Sequence, residues 1–233
     1  MPSHRYYPAL VALFATSLVV SNIIAVKLVA VFGMILPAAV FLFPITYILG
    51  DVLTEVYGYR RARQAIWIGF ACNVLAVAAI SLGGVLPPAG FWNAGVYPGP
   101  DEASTAYLAI LGFAPRLLAA SFLAYLAGEF LNAAVLARIK AATRGRHLWL
   151  RTISSTLLGQ GVDSAIFLTG AFAGVLSTPA LASAILSQWL FKSGYEALAT
   201  PLTYLVVNGL KRAEGLDVFD WGLARDPAGS AAG

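Results

Sequence analysis

The chain has 233 residues, of which 59% are hydrophobic and only 11% charged, with a mean hydropathy of +0.78; an average soluble domain carries about 25% charged residues. This composition excludes an ordinary soluble enzyme and places most of the apolar surface in lipid. The net charge of +4 gathers in short loops rather than on a basic face, which argues against a nucleic-acid partner.

A spanning helix needs roughly 20 consecutive apolar residues, so the length predicts about six spans and no separate domain for a cofactor or nucleotide. Six apolar runs follow one another at about 7–32, 38–57, 64–86, 106–139, 149–176 and 180–210. The first continues past residue 30, too long for the core of a cleaved signal peptide. It carries Ser21, Asn22 and Lys27. The second contains Pro44, Thr46, Tyr47, Gly50, Asp51 and Glu55. The third holds Asn73 and the single cysteine, Cys72, which can form neither an internal disulfide nor a metal cluster. Segment 87–100, PPAGFWNAGVYPGP, is too rich in Pro and Gly for a helix; its Trp92 and Tyr97 suit a membrane interface. Run four is too long for one straight span. Pro115 divides it into a short outer helix, about 102–112, and a spanning helix bearing Arg116, Glu129 and Asn132. Run five carries Gly159, Gln160, Gly161 and Asp163, and run six Ser187, Gln188, Lys192, Ser193, Tyr195 and Glu196. A single membrane domain over 1–212 is thus followed by a polar tail, 213–233.

The loops set the orientation. Arg60, Arg61 and Arg63 lie between runs two and three. Arg138, Lys140, Arg144, Arg146 and Arg151 lie around the connection between runs four and five, and Lys211 and Arg212 follow run six. The intervening loops, 33–37, 87–104 and 177–179, contain no Lys or Arg. This alternation predicts an all-α membrane protein of six transmembrane helices with both termini in the cytoplasm. Gly50-Asp51 and Gly161-Val162-Asp163 mark the central helix of each half, which suggests a 3+3 inverted repeat.

The charges that orientation does not explain are Lys27, Asp51, Glu55, Arg116, Glu129, Asp163, Lys192 and Glu196. Each costs roughly 2.5–3.5 kcal/mol at the bilayer centre on insertion scales, so they are expected to face the bundle interior and to be paired. Asp51 and Glu55 are four residues apart on one helix face; Lys192 and Glu196 have the same spacing and opposite sign, so they can neutralise each other. Asn22 and Gln160 add amides able to bond a flat polar ligand, and Phe43, Tyr47 or Phe167 can stack on one. Enzyme chemistry lacks its residues. The two histidines, His4 and His147, lie in the N-terminal stretch and a loop, so neither a membrane Ser–His dyad nor a multi-histidine metal site can form. No Gly-x-Ser-x-Gly and no phosphate loop is present. An aspartyl dyad of Asp51 and Asp163 has only the loose GQGVD at 159–163 behind it.

Four stretches carry a family resemblance: SNIIAVK at 21–27, FPITYILGDVLTEVYGYRRAR at 43–63, LWLRTISSTLLGQGVDSAIF at 148–167, and the Lys192, Glu196, Pro201, Tyr204 series. Together they resemble the queuosine precursor transporter family, also grouped as vitamin uptake transporters. The resemblance spans about 20–212. It implies a carrier of the bacterial inner membrane for 7-cyano- and 7-aminomethyl-7-deazaguanine, precursors of queuosine in tRNA, with no enzymatic activity, metal or cofactor. By position, the family's polar residues fall on Asn22, Lys27, Asp51, Glu55, Arg63, Arg151, Gln160 and Asp163. One departure is plain: where the family has a Gln and an Asp one turn apart, this chain has Glu129 and Asn132. The expected substrate-binding set is Asn22, Lys27, Tyr47, Asp51, Glu55, Gln160, Asp163, Lys192 and Glu196. The expected partners are the deazapurine and membrane lipid; a homodimer is compatible but marked by no pattern. A substrate-binding membrane subunit that works with a separate ATPase, and, more remotely, an intramembrane protease, are the competing readings.

Overall fold

A computed structural model describes residues 4–24, 27–31, 34–112, 115–174 and 177–220. The last part of the tail, 221–233, and the side chains of Phe43 and Arg116 lie outside the described residues. Seven α-helices are present among these residues: α1 Tyr7–Ile24, α2 Phe43–Tyr57, α3 Tyr59–Val85, α4 Pro100–Leu111, α5 Pro115–Ala142, α6 Leu148–Phe172 and α7 Thr178–Glu214. The expected division at Pro115 is observed: a short helix α4 precedes it, and Pro115 opens α5, where its missing N–H leaves no bond unmade. Segment 87–99 is non-helical, as its Pro and Gly content requires.

The first apolar run departs from expectation. It was read as one helix to about residue 32, but α1 stops at Ile24 and an antiparallel hairpin follows, β1 Leu28–Val31 and β2 Met34–Pro37. Leu28 pairs with Pro37 and Val31 with Met34. Val29, Val31 and Ile35 are β-branched and favour extended backbone, and a two-residue gap containing Gly33 is the spacing of a tight hairpin. A 3-10 turn, Ala38–Phe41, leads into α2. This helix has only 15 residues, about 22 Å of rise. It ends at Gly58, whose φ of 82° is costly for any residue with a Cβ, and α3 begins at once.

Among the described residues, three helical stretches are long and apolar enough to cross a membrane: Tyr7–Ile24, Tyr59–Val85 and Ala119–Ala142. Leu75, Leu123, Leu198 and Leu205 are exposed on the outside of the bundle, the surface expected of helices solvated by lipid. Phe14, Val52, Leu53, Val56, Ile66 and Val207 are buried between α1, α2, α3 and α7. Helix α2 is central and touches α1, α3, α5 and α7, whereas α6 packs between α5 and α7.

Helices α5 and α6 pack closely against each other. A Cβ added to Gly128 would lie 2.9 Å from Asp163 Cβ and 3.1 Å from the Gly159 carbonyl oxygen; one added to Gly159 would lie 2.9 Å from Asn132 Cβ and 3.0 Å from the Gly128 carbonyl oxygen. Such small-residue seams let membrane helices pack backbone to backbone. The seam sets Asn132 and Asp163 on either side of the crossing, with the Tyr47 hydroxyl 3.2 Å from the Gly128 Cβ position.

The start of α1 and the end of α7 are tied together. Glu214 Oε1 accepts from the Tyr6 N–H at 2.7 Å and from the Tyr57 hydroxyl at 2.8 Å, and its Oε2 accepts from the Arg5 N–H at 3.1 Å. A carboxylate here satisfies N–H groups just ahead of α1 and complements the positive end of its dipole. Burial opposes the charge of Glu214, but these hydrogen bonds outweigh it and hold the carboxyl below its ordinary range.

Two outcomes are expected. Gly128→Ala forces backbone apart at the seam and lowers stability by about 1–3 kcal/mol, read as a fall of several degrees in melting temperature. Because the Glu214 carboxyl is depressed on folding, its stabilisation is complete above the unfolded value of about 4.3 and is lost as pH falls through the lower folded value. Glu214→Gln is therefore less stable than the parent at neutral pH, and the gap closes on acidification; thermal melts across that window measure it.

Candidate functional site

Two polar clusters lie inside the bundle, each built from the same four helices. The first is at mid-bundle. Asp51 on α2 is fully buried, and its Oδ1 accepts from Asn132 Nδ2 on α5 at 2.8 Å. Glu129, one turn before Asn132, is also buried; its Oε2 is 3.0 Å from the place a Cβ on Gly50 would occupy. Gly50 thus makes room for this carboxylate against α2. Glu196 on α7 is buried and lies within electrostatic range of Asp51 and Glu129. Asp163 on α6 pairs with Lys192 on α7 at 2.6 Å. Tyr47 is buried among Glu129, Asp163 and Glu196.

Several polar atoms of this cluster have no hydrogen-bond partner. Asp51 Oδ2, Asn132 Oδ1, Gln160 Oε1 and both carboxylate oxygens of Glu196 are buried without one, and so are the hydroxyls of Thr156 on α6 and Ser193 on α7. The first five are acceptors; the two hydroxyls can also donate. A buried polar group left unpaired costs about 1–3 kcal/mol, more when charged, so this cluster forgoes stability that hydrogen bonding would supply.

The second cluster sits where the basic loops converge, and its bonds are made. Arg151 on α6 grips Glu55 on α2 with two hydrogen bonds, Nε to Oε2 at 2.7 Å and Nη2 to Oε1 at 2.6 Å. Lys211 on α7 donates to the same Oε1 at 2.5 Å, and Lys140 on α5 lies 3.5 Å from it. Arg151 Nη1 also donates to the carbonyls of Gly145 and Arg146, both at 2.9 Å. Asp217, beyond α7, joins Lys140 at 2.6 Å and Lys211 at 3.0 Å. Burial alone would raise the Asp217 carboxyl, but the two lysines hold it below its ordinary range.

The expected residues therefore divide among four places. Tyr47, Asp51, Asp163, Lys192 and Glu196 gather at the mid-bundle cluster, with Gln160 on the adjoining stretch of α6. Glu55 belongs to the basic-end knot. Asn22 donates to Asn73 Oδ1 at 2.6 Å, between α1 and α3. Lys27 is exposed where the hairpin starts, and its backbone, not its side chain, ties the turn: its carbonyl accepts from Ala38 N–H at 2.7 Å. The i,i+4 pairing expected of Lys192 and Glu196 gives way to the cross-helix bond from Lys192 to Asp163. Phe167 packs edge-on against Phe172. Sequence reasoning did not see the roles of Lys140, Lys211 and Asp217. The lysines read as orientation charges and the aspartate as tail, and only the fold brings residues 55 and 211 together. Asn132 carried a signal, standing one turn after Glu129 on the same face of α5.

Apolar helices around buried polar clusters are the architecture of a multi-pass membrane protein. A family model described as "putative vitamin uptake transporter" matches residues 37–206. A protein of Bacillus subtilis (strain 168), "Probable queuosine precursor transporter", is 31% identical over 193 residues, covering 82% of this chain and 79% of that protein. No solved structure matches. The chain belongs to the vitamin uptake transporter family and is a transport protein rather than an enzyme.

Removing Glu55 leaves Lys140, Arg151 and Lys211 facing one another in a buried site. Glu55→Ala is expected to cost about 3–5 kcal/mol, the usual penalty for breaking a buried ion pair from one side. Thermal unfolding in detergent measures it, and the loss exceeds that of Asp51→Asn, which is isosteric.

Proposed function

We propose that this protein imports queuosine precursors, 7-cyano- and 7-aminomethyl-7-deazaguanine, through a bacterial inner membrane. In this reading it is a six-span carrier with both termini in the cytoplasm, working by alternating access around the mid-bundle chamber. The binding set is Tyr47, Asp51, Gln160, Asp163, Lys192 and Glu196, to which Asn132 is added; Asn22 and Lys27 serve the approach to the chamber, and Glu55 its support.

The observation that carries the reading is the set of buried carboxylate and amide oxygens that have no hydrogen-bond partner. A guanine-type ring offers a ring N–H and an exocyclic amino group side by side, and one carboxylate can accept from both, the geometry that makes two-point contacts to bases specific. Asp51 or Glu196 supplies that carboxylate. The amide of Gln160 can turn to address the ring carbonyl. Tyr47 supplies the aromatic face, a contact worth about 1–3 kcal/mol for a stacked base. The similarity to a relative named for queuosine precursors points to the same class of ligand.

The test is direct. 7-Cyano-7-deazaguanine should raise the melting temperature of the purified protein, and guanine should not. Asp51→Asn should weaken binding by roughly tenfold or more, the loss expected for hydrogen bonds to a charged acceptor. Wild-type uptake by both Asp51→Asn and Asp163→Asn, at normal expression, would overturn the site.

A further inference from the structure

Residues 215–220 leave the end of α7 at Gly215, whose φ of 64° turns the chain back, and run as a strap across the basic-loop end of the bundle. The strap touches both halves of the protein. On the first half, the Tyr59 N–H donates to Asp220 Oδ2 at 2.8 Å, and Val218 Cγ1 lies 2.7 Å from the position of a Cβ on Gly58. On the second half, Lys140 Nζ donates to the Val218 carbonyl at 2.6 Å and to Asp217 at 2.6 Å. Phe219 packs on Gly145, 2.8 Å from its Cβ position, and lies beneath the Lys140 ammonium, 4.6 Å from ring centroid to nitrogen. The α2–α3 junction and the α5–α6 turn are thus held by one short segment, directly over Glu55.

The charges explain why this segment decides whether the end stays shut. With the strap docked, Glu55 and Asp217 face Lys140, Arg151 and Lys211. With it gone, Glu55 alone faces three cations, and their mutual repulsion favours separation of α2, α5, α6 and α7. The two carboxylates differ in access. The Glu55 side chain is completely buried, whereas that of Asp217 is 44% exposed, so water competes for the bond that must break first. The segment lies beyond the stretch matched by the family model, which ends at residue 206.

We propose that residues 215–220 are a latch for the basic-loop end of the carrier: docked, they hold that end closed, and release of Asp217 from Lys140 and Lys211 lets it open. The proposal rests on the carrier reading but not on the identity of the cargo.

The experiment reads opening without any substrate. Thr152 is fully buried, next to Arg151 and beneath the knot. Thr152→Cys, with Cys72→Ala, is reacted in membrane vesicles with a charged maleimide supplied to the basic-loop face. Asp217→Asn should raise the alkylation rate roughly tenfold, the equivalent of one lost hydrogen bond to a charged group. Asp217→Glu should restore the slow rate, and a chain ended after Gly215 should label at least as fast as Asp217→Asn. An unchanged rate in both Asp217→Asn and the shortened chain overturns the latch. So does a rise that Asp217→Glu fails to reverse and that tracks a loss of melting temperature, because it reports unfolding. Faster labelling in a protein that binds no deazaguanine would keep the latch and discard the cargo.

Discussion

The bidentate bond between Arg151 and Glu55 is the interaction on which the rest of the bundle depends. A carboxylate taken out of water is costly, and its cost is offset only by close, geometrically good partners. Glu55 has them from three directions: Arg151 from α6, Lys211 from α7 and Lys140 from α5. Each partner arrives on a different helix, so satisfying one charge fixes four helices relative to one another. An apolar residue at 55 would leave these helices free to slide, since lipid offers as good a surface for Leu as a neighbouring helix does. The planar fork of arginine adds direction, because both of its bonds to Glu55 must be in register at once.

The chamber is the opposite case on the same helices. At the knot, donors outnumber carboxylates and every oxygen of Glu55 is engaged. At the mid-bundle cluster, Lys192 bonds Asp163, and the oxygens of Glu196 have no hydrogen-bond partner. One cluster stores stability and the other forgoes it. On the proposed reading, a ligand that donates several hydrogen bonds recovers what this cluster lacks, and its binding energy favours whichever conformation makes those bonds best. The Gly128–Gly159 seam lies between the two demands. It brings Asn132 and Asp163 to either side of a backbone contact, leaving these two side chains little freedom.

Much of this was legible in the sequence because lipid makes few compromises. The division at Pro115, the non-helical segment 87–99 and the burial of Asp51 and Glu129 all follow from local rules: a ring that cannot donate, residues that cannot hold a helix, charges that must turn inward. What could not be read depends on tertiary partners. Nothing in residues 28–37 marks a hairpin against a continuing apolar helix, since Leu, Val and Ile serve either in lipid; only the β-branching and Gly33 tilt the choice. Lys192 and Glu196 have the spacing of a local pair, but α6 passes close enough to offer Asp163 instead, and a cross-helix carboxylate wins. Lys140 and Lys211 obey the positive-inside pattern, and that sufficient explanation concealed their second role on Glu55. Glu214 is the extreme case: its three donors come from residues 5, 6 and 57, a relation that no spacing along the chain encodes.

The shared helices also connect the two clusters mechanically. Asp51 and Glu55 are one turn apart on α2; α5 carries Asn132 and then Lys140, α6 Arg151 and then Gln160, and α7 Glu196 and then Lys211. A helix is stiff over such distances, so a displacement that lengthens the Glu55 bonds also moves Asp51 against Asn132. The coupling is reciprocal. A ligand that pulls Asp51 and Glu196 together biases the knot, and a change at the knot alters the affinity of the chamber by the same free energy. Packed interiors prefer discrete arrangements to continuous deformation, so the expected consequence is two states rather than a graded breathing. On the alternating-access reading proposed above, a carrier needs this property, because its site must be presented to one side or the other, and the bundle would supply it through the four helices that the two clusters share.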